Sequence, residues 1–356
     1  MTTTTSPTTG SSSGGRNYPG YGRPLWQRLL IRRETAIIAL LVVVIVVASA
    51  AVPHFGAPIT YNFLLLDTAP ILLIALPMTL VIITGEIDLS VASAMGLSSS
   101  IIGLLTQAHW PFPAAAAIAL LVGLIGGAVN GLLVTRVGLP SLAVTIGTLA
   151  LYRGLAQGLL GTTAVTSFPA FWTDLATSTL PGTLIPSVTV LIVVLALIFG
   201  ALLHFTPFGR GIYAIGLSPD AAAFSGVKIQ RTKFILFMLA GFVSALAGIF
   251  YTLRFGSARG DNATGLELSV VAAVLLGGVS IFGGRGALPG VLAGALLIGV
   301  LASALRLAGI TSDVINVITG TLLVLSVILT SFLAWLQRMR LSAGRKRRET
   351  GGSASS

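Results

Sequence analysis

The chain has 356 residues, of which 54% are hydrophobic and only 9% charged, and its formal net charge is +11. A soluble domain contains roughly a quarter charged residues, so this composition excludes an ordinary soluble protein and indicates a membrane protein. Cysteine is absent, which excludes disulfides and thiolate-bound metals, and the three histidines are too widely spaced to suggest a metal site. The positive charge lies mostly in the two tails and one loop, which favours membrane orientation over nucleic-acid binding.

The two ends of the chain differ from its middle. Residues 1–34 are predicted to form a disordered cytoplasmic tail, because their first part is rich in Thr, Ser and Gly. Residues 35–337 are predicted to form an all-α transmembrane domain, and residues 338–356 a basic cytoplasmic tail. The first apolar run starts only after Arg33 and shows no clear cleavage site, so a signal peptide is not expected.

About ten apolar segments are long enough to be transmembrane helices, since a helix rises about 1.5 Å per residue and the bilayer core is about 30 Å thick. The predicted spans are Ala36–Val52, Phe63–Thr84, Leu89–Thr106, Pro113–Val134, Leu139–Leu160, Leu184–Leu203, Phe234–Leu253, Glu267–Phe282, Ala287–Leu307 and Val314–Trp335.

The orientation of these spans follows from the lysines and arginines, which concentrate on the cytoplasmic side of membrane proteins. With ten spans and a cytoplasmic N-terminus, 17 of the 21 basic residues lie in cytoplasmic segments. The reverse orientation would place those residues outside. We therefore predict a multi-pass protein of the cytoplasmic (inner) membrane with both termini and residues 205–233 in the cytoplasm.

Two short sequence patterns occur twice, each time five spans apart. Asp88-Leu-Ser-Val opens the third span and Glu267-Leu-Ser-Val the eighth, while Gly147-Thr-Leu and Gly320-Thr-Leu lie in the fifth and tenth. An odd offset reverses the direction of the chain, so the pattern suggests an inverted five-helix repeat, a common plan in transporters.

Four polar residues near or within apolar segments are candidates for the translocation path. Asp88 and Ser90 follow the second span, and Asn130 and Glu267 occur further along the chain. Carboxylates near membrane depth are costly and usually face a protein interior or a wet cavity. A helix cap for Asp88 or Ser90 and interhelical hydrogen bonding for Asn130 are the simpler alternatives.

Nucleotide-binding and catalytic patterns are missing from the sequence. The glycine-rich stretch 277–286 lacks the Lys and Ser/Thr of a phosphate-binding loop, so this chain is not expected to hold ATP, any other cofactor or a metal. Arg254, Arg259 and Asp261 are predicted to form an outer polar rim. This rim either receives a soluble binding protein or is an ordinary solvated loop.

The longest charged interruption, Phe208–Lys233, contains a predicted short helix. A serine suits its N-cap, a proline its first position, an aspartate its positive N-terminal dipole and a glycine its end. So short a helix needs outside support, which either a docking partner or its own bundle could supply. The residues assigned to it are Ser218, Pro219, Asp220, Ala221, Ala222 and Gly226.

Four blocks in this order resemble the permease of carbohydrate-type ABC importers, the group that handles ribose, xylose, rhamnose and the furanosyl autoinducer. The similarity runs from about Asn62 to about Trp335. The blocks are GEIDLSVASAMGLSSS, NGLLVTRVGLPSLAVTIGTLALYRGLA, the Phe208–Lys233 stretch and GLELSVVAAVLLGGVSIFGGRGALPGVLAGALLIGV.

The resemblance implies a permease that works by alternating access and is not itself an enzyme. Its expected partners are a second permease copy or paralogue, a cytoplasmic ABC ATPase that binds ATP and Mg²⁺, an extracytoplasmic sugar-binding protein and membrane lipid. The short helix then corresponds to the family's coupling helix, which docks the ATPase. The cargo implied is a monosaccharide or related small polyol.

Some positions depart from the family pattern, and one other class of function stays open. Glu86 stands where the family usually has Gly, Ser269 where a second acid often follows, and Ala223-Phe224 replaces a more polar pair. The alternative is an ion-coupled secondary transporter, for which Asp88 and Glu267 would be the natural ion ligands. A membrane enzyme is a third hypothesis, to which no residues can be assigned.

Overall fold

The computed structural model describes residues 33–322, 324–325 and 328, so both predicted tails lie almost entirely outside the described residues. Within this part of the chain the secondary structure is helical, with two isolated β-bridges and no strand. The helices are α1 (Arg33–Ala51), α2 (Pro58–Ile83), α3 (Val91–Gln107), α4 (Phe112–Thr135), α5 (Ser141–Leu160), α6 (Ala170–Thr177), α7 (Val188–Phe205), α8 (Pro207–Leu217), α9 (Pro219–Phe224), α10 (Ile229–Phe255), α11 (Leu266–Leu276) and α12 (Leu288–Leu307), followed by helical residues 312–322.

Six of the described helices, namely α1, α2, α4, α7, α10 and α12, are long and apolar enough to cross a membrane. The predicted all-α polytopic membrane fold is therefore confirmed. Many Leu, Ile and Val side chains on the outer helices are exposed. In a membrane protein such side chains face lipid or another subunit, because the bilayer is as apolar as they are.

Helix α2 lies at the centre of the bundle, and 94% of the residues in its most apolar 18-residue stretch are buried. It packs against α7, α10, α11 and α12, while α10 also packs against α3 and α4. Glycines allow the closest of these approaches. A side chain at Gly241 of α10 would overlap the backbone of Gly123 and Gly127 of α4, so only small residues fit there.

The region predicted as the eighth span differs from the expectation. The sequence predicted Glu267–Phe282, but α11 ends at Leu276 and its 11 residues reach only about 16 Å. Gly277 packs directly against the backbone of Val291, and the chain then turns at Gly278, whose φ is +90°. Apolar composition alone did not distinguish this turn from a continuing helix.

The bundle has two ends. The basic end comprises segments 84–90, 136–140, 206–228 and 277–287, and contacts such as the hydrogen bond from Gly284 N to Ile83 O (2.8 Å) join them. The opposite end includes segments 161–187 and 256–265, which are joined by the reciprocal 2.9 Å hydrogen bonds of Val165 and Ala258. The candidate functional residues lie at or near these two ends.

Candidate functional site

The segment between α7 and α10 forms two helices, of which the sequence predicted only the second. Thr206 Oγ1 accepts a hydrogen bond from Gly209 N (3.1 Å) at the start of α8, and Ser218 Oγ accepts one from Ala221 N (3.4 Å) at the start of α9. Both are N-cap bonds, which satisfy amides that have no partner inside the helix. Beyond α9 the chain turns at Gly226, whose φ is +80°.

Helix α9 presents most of its surface to solvent. Ala222 is buried against the bundle, whereas Asp220 is exposed and Phe224 is 94% exposed. The preceding Leu217 is 68% exposed. Leu217, Asp220 and Phe224 are called the docking face below. Adjacent apolar side chains left in water typically mark an interaction surface, and here one carboxylate accompanies them.

Helices α8 and α9 are firmly connected to the rest of the basic end. Gly216 of α8 lies so close to Ile83 O and Gly284 N that a side chain would overlap both. Tyr213 Oη donates a hydrogen bond to Gly286 O (2.7 Å). A displacement of the docking face would therefore reach the end of α2 and the glycine-rich turn between α11 and α12, because these segments touch without intervening side chains.

Asp88, Ser90 and Asn130 form one buried cluster at this end of the molecule. Asp88 Oδ1 accepts hydrogen bonds from Ser90 N (2.9 Å) and Ser90 Oγ (2.6 Å), and Asn130 Nδ2 donates to Ser90 Oγ (2.8 Å). Each residue is at most 2% exposed. Ser90 occupies the N-cap of α3, but its hydroxyl makes no cap bond. The geometry matches the interhelical hydrogen bonding expected for Asn130, neither Asp88 nor Ser90 makes a side-chain cap bond to α3, and contact with a solute stays a prediction.

Glu86 forms an ion pair with Lys233 at the start of α10. Lys233 Nζ lies 2.5 Å from Glu86 Oε1, and both side chains are 16% exposed. A partly buried carboxylate is costly without a partner. Lys233 therefore compensates the charge of Glu86.

Glu267 belongs to a different site, near the opposite end. Its Oε2 lies 3.9 Å from Arg153 Nη2, and Arg153 Nη1 donates a hydrogen bond to Asn262 O (2.7 Å). Asp88 makes its hydrogen bonds at the basic end. The four predicted path residues thus divide into two groups, of which Glu267 forms one by itself.

The predicted outer rim is a set of paired charges. Arg259 donates two hydrogen bonds to Asp261 (2.9 and 3.0 Å), and these bonds hold the pKa of the Asp261 carboxyl below its ordinary value. Arg254 instead lies 3.3 Å from Asp67, which also lies 3.3 Å from Arg306. The depressed pKa keeps Asp261 ionised at neutral pH, and the pair is lost only as the pH falls through that pKa.

A polar cleft of about 750 Å³ opens beside these pairs at the opposite end. Its wall combines charged groups with two aromatic rings, Tyr251 and Phe255, whose centroids are 4.5 Å apart. Such a surface can make both hydrogen bonds and apolar contacts. Charged and amide residues in the wall are Asp67, Arg259, Asp261, Asn262 and Arg306.

Comparison with known proteins identifies the family. A family model described as "Branched-chain amino acid transport system / permease component" matches residues 60–327. The chain belongs to this permease family. The permease is 37% identical over 295 residues to the autoinducer 2 import system permease protein LsrD of Photorhabdus luminescens, covering 78% of this chain and 88% of that protein.

LsrD proteins of other bacteria give similar values. The Klebsiella pneumoniae protein is 37% identical over 275 residues (75% of this chain, 82% of that protein), and the Yersinia enterocolitica protein is 35% identical over 295 residues (78% and 88%). No solved structure matches the permease. The predicted resemblance to ABC importer permeases is confirmed, and so is the prediction that this chain is a multi-pass membrane permease and not the ATP-hydrolysing enzyme.

Sequence reasoning missed three charged partners in the permease. Arg153 contacts Glu267, Asp67 joins Arg254 to Arg306, and Lys233 pairs with Glu86. Arg153 and Asp67 could have been identified from the sequence, because a charged residue inside an apolar segment usually requires a partner. Helix α8 had a signal as well, since Thr206-Pro207 repeats the pattern that predicted α9 at Ser218-Pro219.

The described residues contain no group of three or more His, Asp or Glu side chains able to hold a metal ion. The glycine-rich turn is also occupied by protein backbone. A side chain at Gly283 would come within about 3 Å of Ile83 O and Gly85 N. These glycines therefore serve close packing in the permease.

Proposed function

We propose that the permease is the membrane subunit of an ATP-driven ABC importer that moves a monosaccharide or related small polyol across the cytoplasmic membrane. The relatives named as autoinducer 2 import permeases and the four resembling sequence blocks support this proposal. The structural observation that supports it most is the docking face, an apolar and acidic surface formed by the end of α8 and the six-residue helix α9, which are joined directly to the bundle.

The docking face is proposed to receive a cytoplasmic ABC ATPase, in which ATP and Mg²⁺ are bound. ATP binding would close the ATPase dimer and move α8 and α9 with it. The backbone contacts of Gly216 with Ile83 and Gly284 provide a stiff route from this helix pair to α2 and α12. Outward opening of the paired permeases would follow from that movement.

The importer is proposed to contain two permeases, either identical copies or related chains. Helix α5 has an unoccupied face of small residues. A side chain at Gly147, Gly154 or Gly158 would meet no atom within 4 Å, and Ala143 and Ala150 are exposed. Small residues at such spacing let helices of two subunits approach closely in a membrane, so this face supports a dimer with the translocation path at its centre.

The finer topology is also proposed: ten spans in two inverted repeats of five, with both termini in the cytoplasm. Two features support the repeat. The Asp88 and Glu267 patterns each lie at the start of a short apolar helix. Each pattern is also preceded by a glycine with positive φ, Gly85 (φ +83°) and Gly265 (φ +85°). About half of the tenth predicted span, Val314–Trp335, lies outside the described residues.

The opposite end is proposed to face the extracytoplasmic sugar-binding protein. Arg259, Asp261 and Arg306 are exposed there, while Arg254 is partly buried against Asp67. Exposed charges of both signs favour a salt-dependent encounter with a soluble partner. Arg254 would therefore not contact the binding protein itself but would hold Asp67, which also pairs with the exposed Arg306.

An ion-coupled transporter has less support. Its natural ligands, Asp88 and Glu267, lie in separate sites, and each already has a polar partner within the permease. A cation site needs several oxygens converging on one point. The two carboxylates do not provide that arrangement.

Transport in proteoliposomes tests the proposal. The permease is reconstituted with its partner ATPase and binding protein, and uptake of labelled ribose, xylose and rhamnose is measured with ATP or with Na⁺ and H⁺ gradients. We expect uptake of at least one sugar that depends on ATP and is unaffected by collapsing the gradients. Gradient-driven uptake by the permease alone would contradict the proposal.

A further inference from the structure

A groove beside α9 is not explained by the transport mechanism. It has a volume of about 690 Å³ and lies between the end of α4, the start of α10 and the turn after α9. Its wall combines three basic residues with mostly apolar ones, and it contains no acidic residue. The basic residues are Arg136, Lys228 and Arg231, and the apolar ones are Leu132, Ala223, Val227, Ile229 and Phe234. This set is called the basic groove below.

The charges in the basic groove are not neutralised within the described part of the chain. Arg136, Lys228 and Arg231 are exposed, and their charged groups make no hydrogen bond or ion pair with another described residue. The first turn of α10 also contains no acidic residue. Because a helix N-terminus is itself positive, three cations around it repel one another unless an anion joins them.

The groove continues into an apolar surface that runs along α4. Leu121, Ile125, Val129 and Leu132 are 40% to 53% exposed. At about 100° per residue these four positions and Arg136 fall within about 80° of the helix surface, so they form one stripe that ends in the arginine. Bulky apolar side chains followed by a basic residue are typical of helices that contact acyl chains and then headgroups.

The chain's own tails do not supply the missing anion. The N-terminal tail contains five arginines before Thr35 and only Glu34 as an acid, and the C-terminal tail contains six basic residues and only Glu349. Both tails are therefore basic, like the groove. The groove therefore suits an occupant from outside the chain that combines an anionic group with apolar length.

We infer that the basic groove binds an anionic phospholipid of the cytoplasmic leaflet. Its phosphate lies among Arg136, Lys228 and Arg231, and an acyl chain follows the α4 stripe past Leu132. Since Ala223 and Val227 also line the groove, the bound lipid supports the base of α9. The inference uses the proposed orientation, which places this end in the cytoplasm, but it does not depend on the substrate or the ATPase.

Native mass spectrometry of the full-length, delipidated permease tests the inference. Phosphatidylglycerol and phosphatidylcholine with the same acyl chains are added in equal amounts, and bound lipids are counted. The variant Arg136→Gln/Arg231→Gln is compared with the control Arg210→Gln/Arg285→Gln. The control removes two exposed arginines from the same end but outside the groove.

We expect wild type and control to retain phosphatidylglycerol selectively, and the groove variant to lose affinity by about 25-fold, since each basic residue near an anionic headgroup contributes roughly fivefold. Equal loss in the control, or unchanged binding in the groove variant, would overturn the inference. So would complete competition by inorganic phosphate on wild type, which would indicate a free-anion site. ATPase binding by the same variants is measured in parallel. If the groove variant loses ATPase binding but keeps its lipid, the groove belongs to the ATPase interface and the inference is overturned.

Discussion

At the scale of single residues, most of the charged side chains inside the described bundle have a partner of opposite charge, whereas the buried Asp88 has only hydrogen bonds from Ser90. Glu86 has Lys233, Glu267 has Arg153 and Asp67 has two arginines. An unpaired charge in a medium of low dielectric constant has a large free-energy cost. That cost is larger than the modest net stabilisation that a complete ion pair provides. The ion pairs therefore make it possible to bury these charged residues, but they contribute less to the free energy of unfolding than their number suggests.

The Glu86–Lys233 pair gives a direct test at this scale. We expect Lys233→Met to lower the stability of the permease by about 2–3 kcal/mol, because Glu86 is left partly buried without a partner. The double variant Glu86→Gln/Lys233→Met should recover most of the loss. Thermal unfolding in detergent measures both effects.

Arg210→Met is the matched control, since Arg210 is an exposed basic residue at the same end of the bundle that lies outside the basic groove. Its unfolding temperature should stay close to that of wild type. An equal loss in the control, or no recovery in the double variant, would show that the ion pair of Lys233 with Glu86 is not what stabilises the fold.

The sequence predicted which residues are unusual better than it predicted their partners. Asp88, Ser90 and Asn130 were selected because polar groups are rare in apolar segments, and they do lie together. Glu267 was selected for the same reason but lies in another site. Residue type reveals that a partner is needed, whereas its identity depends on packing between segments far apart in the chain.

At the scale of helices, glycines determine how closely the bundle packs. The long apolar helices were predictable because about 20 apolar residues are needed to cross a bilayer. The short α11 was not, because Val279, Ile281 and Phe282 continue the apolar run beyond Gly277, where the helix has already ended. Helix α8 was not predicted, although Thr206-Pro207 is the same kind of cap pattern as Ser218-Pro219.

The contact of α4 with α10 is testable through Gly241. We expect Gly241→Ala to destabilise the permease by about 2 kcal/mol, because the added methyl overlaps the backbone of Gly123 and Gly127, which cannot rotate away. Alanine is otherwise the better helix former by about 1 kcal/mol, so the overlap must exceed that gain. Unfolding in detergent gives the difference.

Gly200→Ala provides the comparison, since an added methyl there approaches no atom closer than Leu288 Cδ1, at 4.0 Å, and Gly200 lies outside the proposed dimer face. This variant should be as stable as wild type or slightly more so. If Gly241→Ala behaved in the same way, the close approach of α4 and α10 would not occur in the protein as purified.

At the scale of the whole molecule, the two ends of the permease differ in chemistry. The basic end has the docking face and the basic groove, and the opposite end has the polar cleft with its paired charges. The segments between them are joined by backbone contacts at glycines. This arrangement suits a protein that receives force at one end and solute at the other.

The measurement that tests the central claim most directly is binding of the purified permease to its partner ATPase. The exposed Phe224 is the best probe of α9, because replacing it does not disturb the packing of the helix. The buried Ala222 is unsuitable, because a larger or charged side chain there would disrupt α9 itself. We compare Phe224→Ala with Phe205→Ala. The latter removes another highly exposed phenylalanine, 84% exposed, that lies outside α9.

If the docking face binds the ATPase, Phe224→Ala should weaken the affinity by at least about tenfold, as expected for a central aromatic residue of an interface, while Phe205→Ala should leave it nearly unchanged. Both variants should elute and unfold like wild type. ATPase binding that is unaffected by Phe224→Ala, or lost equally in both variants, would contradict the assignment of α9 as the coupling helix.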